Sequence, residues 1–169
     1  MNNKRGQVII FDLIVAIAIF TITFLLFYNQ FFFSSNDEAY DYNRASEKIN
    51  QLGYFLISTS GVPNDWDETD VEAIGIASEK NVIDETKLSM LVAMGIANSS
   101  NMKQKLDIQA YNFSFSATHP DGALVQLNNS IYQGNASFGT VQESKNKIKS
   151  TRIASYKNSE IILKLEISK

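Results

Sequence analysis

Few residues in this chain could do chemistry by type and spacing. There is no cysteine, which removes thiolate catalysis and a disulfide framework. The one histidine, His119, precedes Pro120-Asp121-Gly122 and reads as a turn residue rather than a base or metal ligand. Asp65, Asp67, Glu68 and Asp70 cluster, but a calcium loop of the EF-hand kind needs Gly at its sixth position and Glu at its twelfth, and the spacing from none of these acids meets both. No phosphate loop, nucleophile elbow or metal spacing occurs. The chain is therefore read as a non-enzyme, with no catalytic, cofactor-binding or metal-binding residues. Four sequons start at Asn98, Asn112, Asn128 and Asn135, and Asn112 and Asn135 are the candidate N-glycosylation sites if the domain lies outside the cytoplasm. The most informative ionisable residue is Asp12, because of where it sits.

Asp12 interrupts an apolar run from Val8 to Phe33. No charged residue occurs from Leu13 to Phe27, where only Thr21 and Thr23 are polar. As a helix the run would extend about 39 Å at 1.5 Å per residue, enough for a hydrocarbon core of about 30 Å. An acid at the bilayer centre costs about 2.5–3.5 kcal/mol on insertion scales and less near an end. Asp12 thus either snorkels to water or meets a partner. Lys4 and Arg5 precede the run, while Asp37, Glu38 and Asp41 come after it. Basic residues stay cytoplasmic, so the expectation is a single-pass protein with its N-terminus inside and its C-terminal domain outside. Of 169 residues, 15 are basic and 18 acidic, a net charge of −3 with no basic block, which argues against a nucleic-acid partner.

Beyond Phe33 the pattern Tyr40, Ile49, Leu52, Phe55, Leu56 predicts an amphipathic continuation to about Ser58, with Arg44, Glu47, Lys48 and Gln51 on the wet face. A break at Ser34-Ser35-Asn36-Asp37 is the alternative. Gly61-Val62-Pro63 ends the helix, and Trp66 is expected in the core. Val71 to Ala77 reads as a short strand. Asp84 caps a helix to about Ala97, and Ser99-Ser100 opens a shorter one to Leu106. Strands are expected over Ala110–Thr118, Ala123–Leu127, Lys147–Tyr156 and Glu160–Ile167, with turns at His119–Gly122, Asn128-Asn129 and Lys157-Asn158-Ser159. Ile161, Leu163, Leu165 and Ile167 should face the core, while Lys164 and Glu166 face outward. Gly134 to Lys147 is polar and receives no element. The fold class is α+β: a long N-terminal helix packed on a C-terminal antiparallel sheet domain.

Lys4-Arg5-Gly6-Gln7-Val8, abutting a long helix, resembles the archaeal class III signal peptide of type IV pilin-like proteins. That resemblance implies cleavage by a prepilin-type peptidase between Gly6 and Gln7. Removing Lys4 and Arg5 would take the net charge from −3 to −5. It divides the chain into a leader (1–6), a transmembrane and filament-core helix (7–33), an amphipathic continuation (34–58) and an extracytoplasmic α+β head (59–169). It further implies a structural subunit, major or minor, of a surface filament, whose partners are other pilin-like subunits, the peptidase and the membrane. In that family an acid at the fifth mature position pairs with a neighbour's N-terminal amine; here Asp12 would be sixth. Ile9, Ile10, Leu13, Ile17, Phe20 and Phe24 would pack against neighbouring helices. Gly61–Trp66, Ile74–Ala77, Asn81–Asp84 and Lys87-Leu88 also resemble a turn, strand and helix segment of archaeal pilin-like surface proteins. The alternative is a cell-surface binding module held by an uncleaved signal anchor.

Overall fold

A computed structural model describes residues 3–141 and 147–169, with side chains described for 11–30, 41–141 and 147–169. Met1 and Asn2 of the expected leader, and the middle of the polar stretch before Lys147, lie outside the described residues. The chain divides into two compact units, Met1–Asn43 and Arg44–Lys169. Helix α1, Asn3–Ser58, contributes to both. The elements of the second unit are, in chain order, β1 (Ala77–Glu79), β2 (Val82–Ile83), α2 (Glu85–Ala97), α3 (Ser99–Lys105), β3 (Asn112–Thr118), β4 (Gln126–Asn128), β5 (Gln133–Asn135), β6 (Ser137–Phe138), β7 (Ile148–Tyr156) and β8 (Ser159–Ser168). The protein is α+β, as its apolar periodicities require.

Within the second unit, α1 presents Ala45, Ile49 and Leu56 to the core, with Leu52 partly buried between them. This 4-3-4 spacing is one helical stripe. Gly53 lies on its flank, where an added Cβ would stand 3.1 Å from Ser150 Oγ on β7, so the small residue admits the close approach. Ser150 Oγ donates to Asn50 Oδ1 at 3.0 Å and Arg152 Nη2 donates to the Asn50 carbonyl at 3.0 Å. Phe55 departs from the expected pattern: it is exposed, because it sits one residue, about 100°, off the Leu52–Leu56 line. The Tyr40 side chain lies outside the described ones.

The C-terminal end of α1 dictates the path of the next twenty residues, because terminal helix carbonyls need donors. Ile76 N–H donates to Leu56 O at 2.9 Å, Ala77 N–H to Thr59 O at 3.0 Å, and Asn81 N–H to Ile57 O at 2.8 Å. This corrects the strand expected over Val71–Ala77. Val71, Ile74 and Ile76 are buried there, but the segment makes only an isolated bridge, Ala73 with Val62, before Ile76 turns to the helix end, and the strand begins only at Ala77. Trp66 is core, as expected, and its Nε1 donates to both Ser60 O and Gly75 O at 2.9 Å. Gly61, at φ +89°, is required: a Cβ would come within 2.5 Å of the Trp66 ring.

Asp84 caps α2 through its side chain, which accepts from Lys87 N–H at 3.0 Å. The cap of α3 is Asn98 rather than Ser99 or Ser100; its Oδ1 accepts from Asn101 N–H at 3.1 Å. The six-stranded sheet runs β1-β2-β7-β8-β3-β6, and every pairing is antiparallel except β2 beside β7. The hairpin from β7 to β8 turns on two residues, Lys157 (φ 48°) and Asn158 (φ 63°), which is the twist-compatible mirror-image turn. Ser159 is therefore already paired, with Tyr156, rather than part of the turn. Ile161, Leu163, Leu165 and Ile167 are each fully buried. Phe113, Phe115 and Ala117 of β3 extend that layer, and Phe138 of β6 stacks on Phe115 at 5.4 Å between ring centroids. The expected Ala123–Leu127 strand is realised as a bridge at Leu124 and then β4, which pairs with β5 in a separate two-stranded sheet. The stretch given no element thus holds the end of β5 and all of β6.

Gly95 of α2 faces Phe138, and a Cβ there would lie 2.4 Å from the ring. Alanine gains about 1 kcal/mol over glycine in helix propensity. Overpacking costs about 1–3 kcal/mol against a ring that other core residues hold in place. The clash should win: Gly95→Ala is expected to lower the thermal midpoint of the head, measured by circular dichroism, and an unchanged or raised midpoint would refute this packing.

Candidate membrane-spanning helix and head surfaces

In the first unit, the helix from Phe11 to Gln30 is long and apolar enough to cross a membrane: 20 residues, mean hydropathy 2.3, none of it buried. Its polar side chains make few demands on their surroundings. Thr21 Oγ1 donates to Ile17 O and Thr23 Oγ1 to Ile19 O, each at 2.8 Å, and Asn29 Nδ2 donates to Leu25 O at 3.0 Å. The i−4 carbonyls therefore satisfy all three inside the helix. Leu13, Ile17, Phe20 and Phe24, at 4-3-4 spacing, share one stripe, and all are exposed, Phe20 by 71%. Phe24 stacks between Phe20 and Tyr28 with both centroid distances 6.3 Å. Asp12 is exposed beside this stripe, one residue from Leu13. The backbone of Gly6, Gln7, Ile9 and Ile10 belongs to α1, while their side chains lie outside the described ones.

Leaving four such side chains in water rather than burying them forgoes roughly 6–12 kcal/mol, at about 1.5–3 kcal/mol each. That is comparable to the whole stability of a small domain. It also exceeds the insertion cost of one acid, so the balance for this helix favours an apolar environment despite Asp12.

The head holds the remaining candidate residues, and it disperses them. Asp67 Oδ1 accepts from Thr69 N–H at 2.7 Å, Thr69 Oγ1 at 2.6 Å and Asp70 N–H at 3.2 Å, while Asp70 Oδ1 accepts from Asp67 N–H at 2.7 Å. The Thr69 bonds foremost, with help from Asp70, hold the Asp67 carboxyl below its ordinary pKa. The acids thus organise their own loop. Among the described residues no three His, Cys, Asp or Glu side chains converge on a metal position. His119 serves the turn through its backbone, its N–H donating to Ala123 O and its carbonyl accepting from Gly122 N–H. Asn112 is exposed at the first residue of β3; Asn135 is exposed and accepts through Oδ1 from Gln126 Nε2. Asn98 has its side chain engaged as a helix cap.

A groove of about 260 Å³ lies beside α1 of the head, lined by Leu52, Phe55, Ile74 and Leu106 and rimmed by Lys48, Lys105 and Asp107. Its cations have partners within the chain: Lys48 pairs with Asp107, and Lys105 donates to Val71 O. Helical periodicity puts Lys48 on the wet face but gives no hint of Asp107, because a pair 59 residues apart leaves no periodic signal. Comparison with protein-family models, with curated proteins and with solved structures yields no match for this chain.

The hydrogen bond and charge of Lys48, with a smaller contribution from Arg44, hold the Asp107 carboxyl below its ordinary pKa. A depressed carboxyl stabilises the fold above its unfolded pKa, and that contribution is lost as pH falls through the folded value. Asp107→Asn keeps a side chain that tolerates the left-handed backbone at φ 53°. The variant should melt slightly below the native protein at pH 7, and the two midpoints should converge as the pH drops below the ordinary carboxylate range. A difference that persists unchanged in acid would assign it to packing rather than to this pair.

Proposed function

We propose that the chain is a structural subunit, major or minor, of a type IV pilus-like surface filament. Before assembly the helix sits in the membrane with its N-terminus cytoplasmic and the head outside. A prepilin-type peptidase removes residues 1–6 between Gly6 and Gln7, and helices of many copies, or of related subunits, then bundle while the heads cover them. The observation that carries this reading is the 20-residue apolar surface, wholly exposed, with an acid close to its start. Helices with apolar surfaces exchange lipid contacts for protein contacts at little cost, since hydrocarbon and leucine are alike in polarity. One element can thereby serve in both the membrane and a fibre. Asp12 would offset a neighbour's charge, with Ile9, Ile10, Leu13, Ile17, Phe20 and Phe24 packing around it.

The second reading, a surface binding module on an uncleaved anchor, draws on the same helix and differs in whether the leader stays. The N-terminal mass of protein extracted from its native cells separates the two. A chain beginning at Gln7 is expected; one beginning at Met1 would overturn the filament reading in favour of the anchor. A second expectation concerns the acid. Asp12→Ala should leave membrane insertion intact, since it removes only a cost, and should reduce incorporation into filaments several-fold. Undiminished incorporation would remove Asp12 from assembly.

A further inference from the structure

Among the described residues, the longest strand interval without a neighbouring strand lies along β7. On one side β7 pairs continuously with β8, from Ile148 opposite Ile167 to Tyr156 opposite Ser159. On the other side its only strand neighbour among the described residues is β2, which meets it at Ser155 alone. There the Ser155 N–H donates to Asn81 O at 2.8 Å. In a regular antiparallel strand, residues two apart turn their N–H and C=O groups to the same side. Ile153, Thr151 and Lys149 therefore direct theirs outward. Among the described residues no strand receives them; the Thr151 carbonyl alone accepts a bond, from the Arg152 guanidinium at 3.2 Å. Lys149 and Thr151 are exposed, and Ile153 is 59% exposed.

We propose that this edge, from Lys149 to Ile153, docks an extended acidic segment of a partner protein, which joins the sheet as an added strand. Main-chain bonds supply the affinity in such additions, and alternate side chains supply the selectivity. The charge selects the partner's chemistry. Residues 147–157 carry Lys147, Lys149, Arg152 and Lys157 and no acid; of these, Lys157 is paired with Glu85 at 2.8 Å and Arg152 is turned to Asn50. One strand inward, Glu166 is shared between Lys147 at 3.1 Å and Lys149 at 3.9 Å, and Lys164 stands directly opposite Thr151, so the positive charge at the edge itself comes from Lys149, 48% exposed, and Lys164. A second copy is the wrong occupant. Pairing two β7 edges would gather both sets of cations on one ribbon, and edge lysines are a common barrier to that self-association. About five partner residues, near 17 Å of strand, would fill the interval. Strand addition here is independent of filament assembly.

The test uses the full chain in detergent micelles and a blocked heptapeptide of alternating valine and glutamate, with a matched peptide carrying lysine for glutamate. Amide exchange at Thr151 and Ile153 should slow at least tenfold with the acidic peptide and stay unchanged with the basic one. Thr151→Pro should weaken binding at least tenfold while the sheet persists, because that N–H points away from β8 and proline there removes no ladder bond. Lys149→Glu, which leaves the backbone untouched, should reverse the preference between peptides. Absence of protection by the acidic peptide, equal protection by both peptides, or unchanged preference in Lys149→Glu would each overturn the proposal.

Discussion

An apolar helix surface must find something other than water to lie against, and the organisation of this chain depends on that constraint. From Phe11 to Gln30 no side chain is covered by the protein's own residues. Thr21, Thr23 and Asn29 are each satisfied by the helix's own carbonyls, so the surface offers lipid or another helix almost nothing polar to accommodate. Asp12 near one end and Gln30 at the other are the exceptions, and only Asp12 carries charge. The energy at stake on the apolar stripe outweighs one acid near a helix end, which explains how the acid is tolerated without explaining why it is there. A partner on another molecule is the reading that gives it a purpose.

The head solves a different problem with the same helix. Over Arg44–Ser58 the stripe is narrower and is covered: Ala45, Ile49, Leu52 and Leu56 meet the core, and Gly53 lets β7 approach. The carbonyls of Leu56 and Ile57 at the end of α1, and of Thr59 just beyond it, then recruit Ile76, Asn81 and Ala77. Those three bonds shape the whole connection from α1 to α2. They limit the β pairing of Val71–Ile76 to the single bridge between Ala73 and Val62, and β1 and β2 are only three and two residues long. The shortness of β2 is in turn why β7 is paired at Ser155 and, among the described residues, has no strand beside it from Lys149 to Ile153.

Periodicity and local chemistry make part of this fold legible in the sequence. The long helix, the Asp84 cap, the two-residue spacing of Ile161, Leu163, Leu165 and Ile167, and the buried Trp66 each have a signal within a few residues of themselves. Val71–Ala77 misleads for a physical reason: a short apolar run is needed equally by a buried strand and by a segment packed under a helix end, and here Ile74 to Ala77 are buried in succession. Phe55 misleads because an aromatic at a helix position is apolar on any face. Asn50 with Ser150 and Arg152, Lys48 with Asp107, and Gly95 under Phe138 join residues far apart in the chain, and one sequence contains no trace of such meetings. Of the candidate assembly residues, Leu13, Ile17, Phe20 and Phe24 share a stripe because 4-3-4 spacing dictates it.

The two surfaces call for opposite partners, and the reason is how each satisfies its backbone. In α1 every main-chain group of the span is internal to the helix, so any partner can be recognised only through side chains, and the side chains are apolar. At the β7 edge the main chain itself is open, so a partner need not match side chains closely to bind, and selectivity must come from charge. Lys149 contributes there twice over. It repels another β7 and attracts an acid, whereas an apolar residue at the same place would have made the edge self-adhesive. Ile153, exposed further along the same edge, lies opposite Ile162, with Lys164 and Glu160 two rungs to either side, so the cationic end of the edge is the one near Lys149.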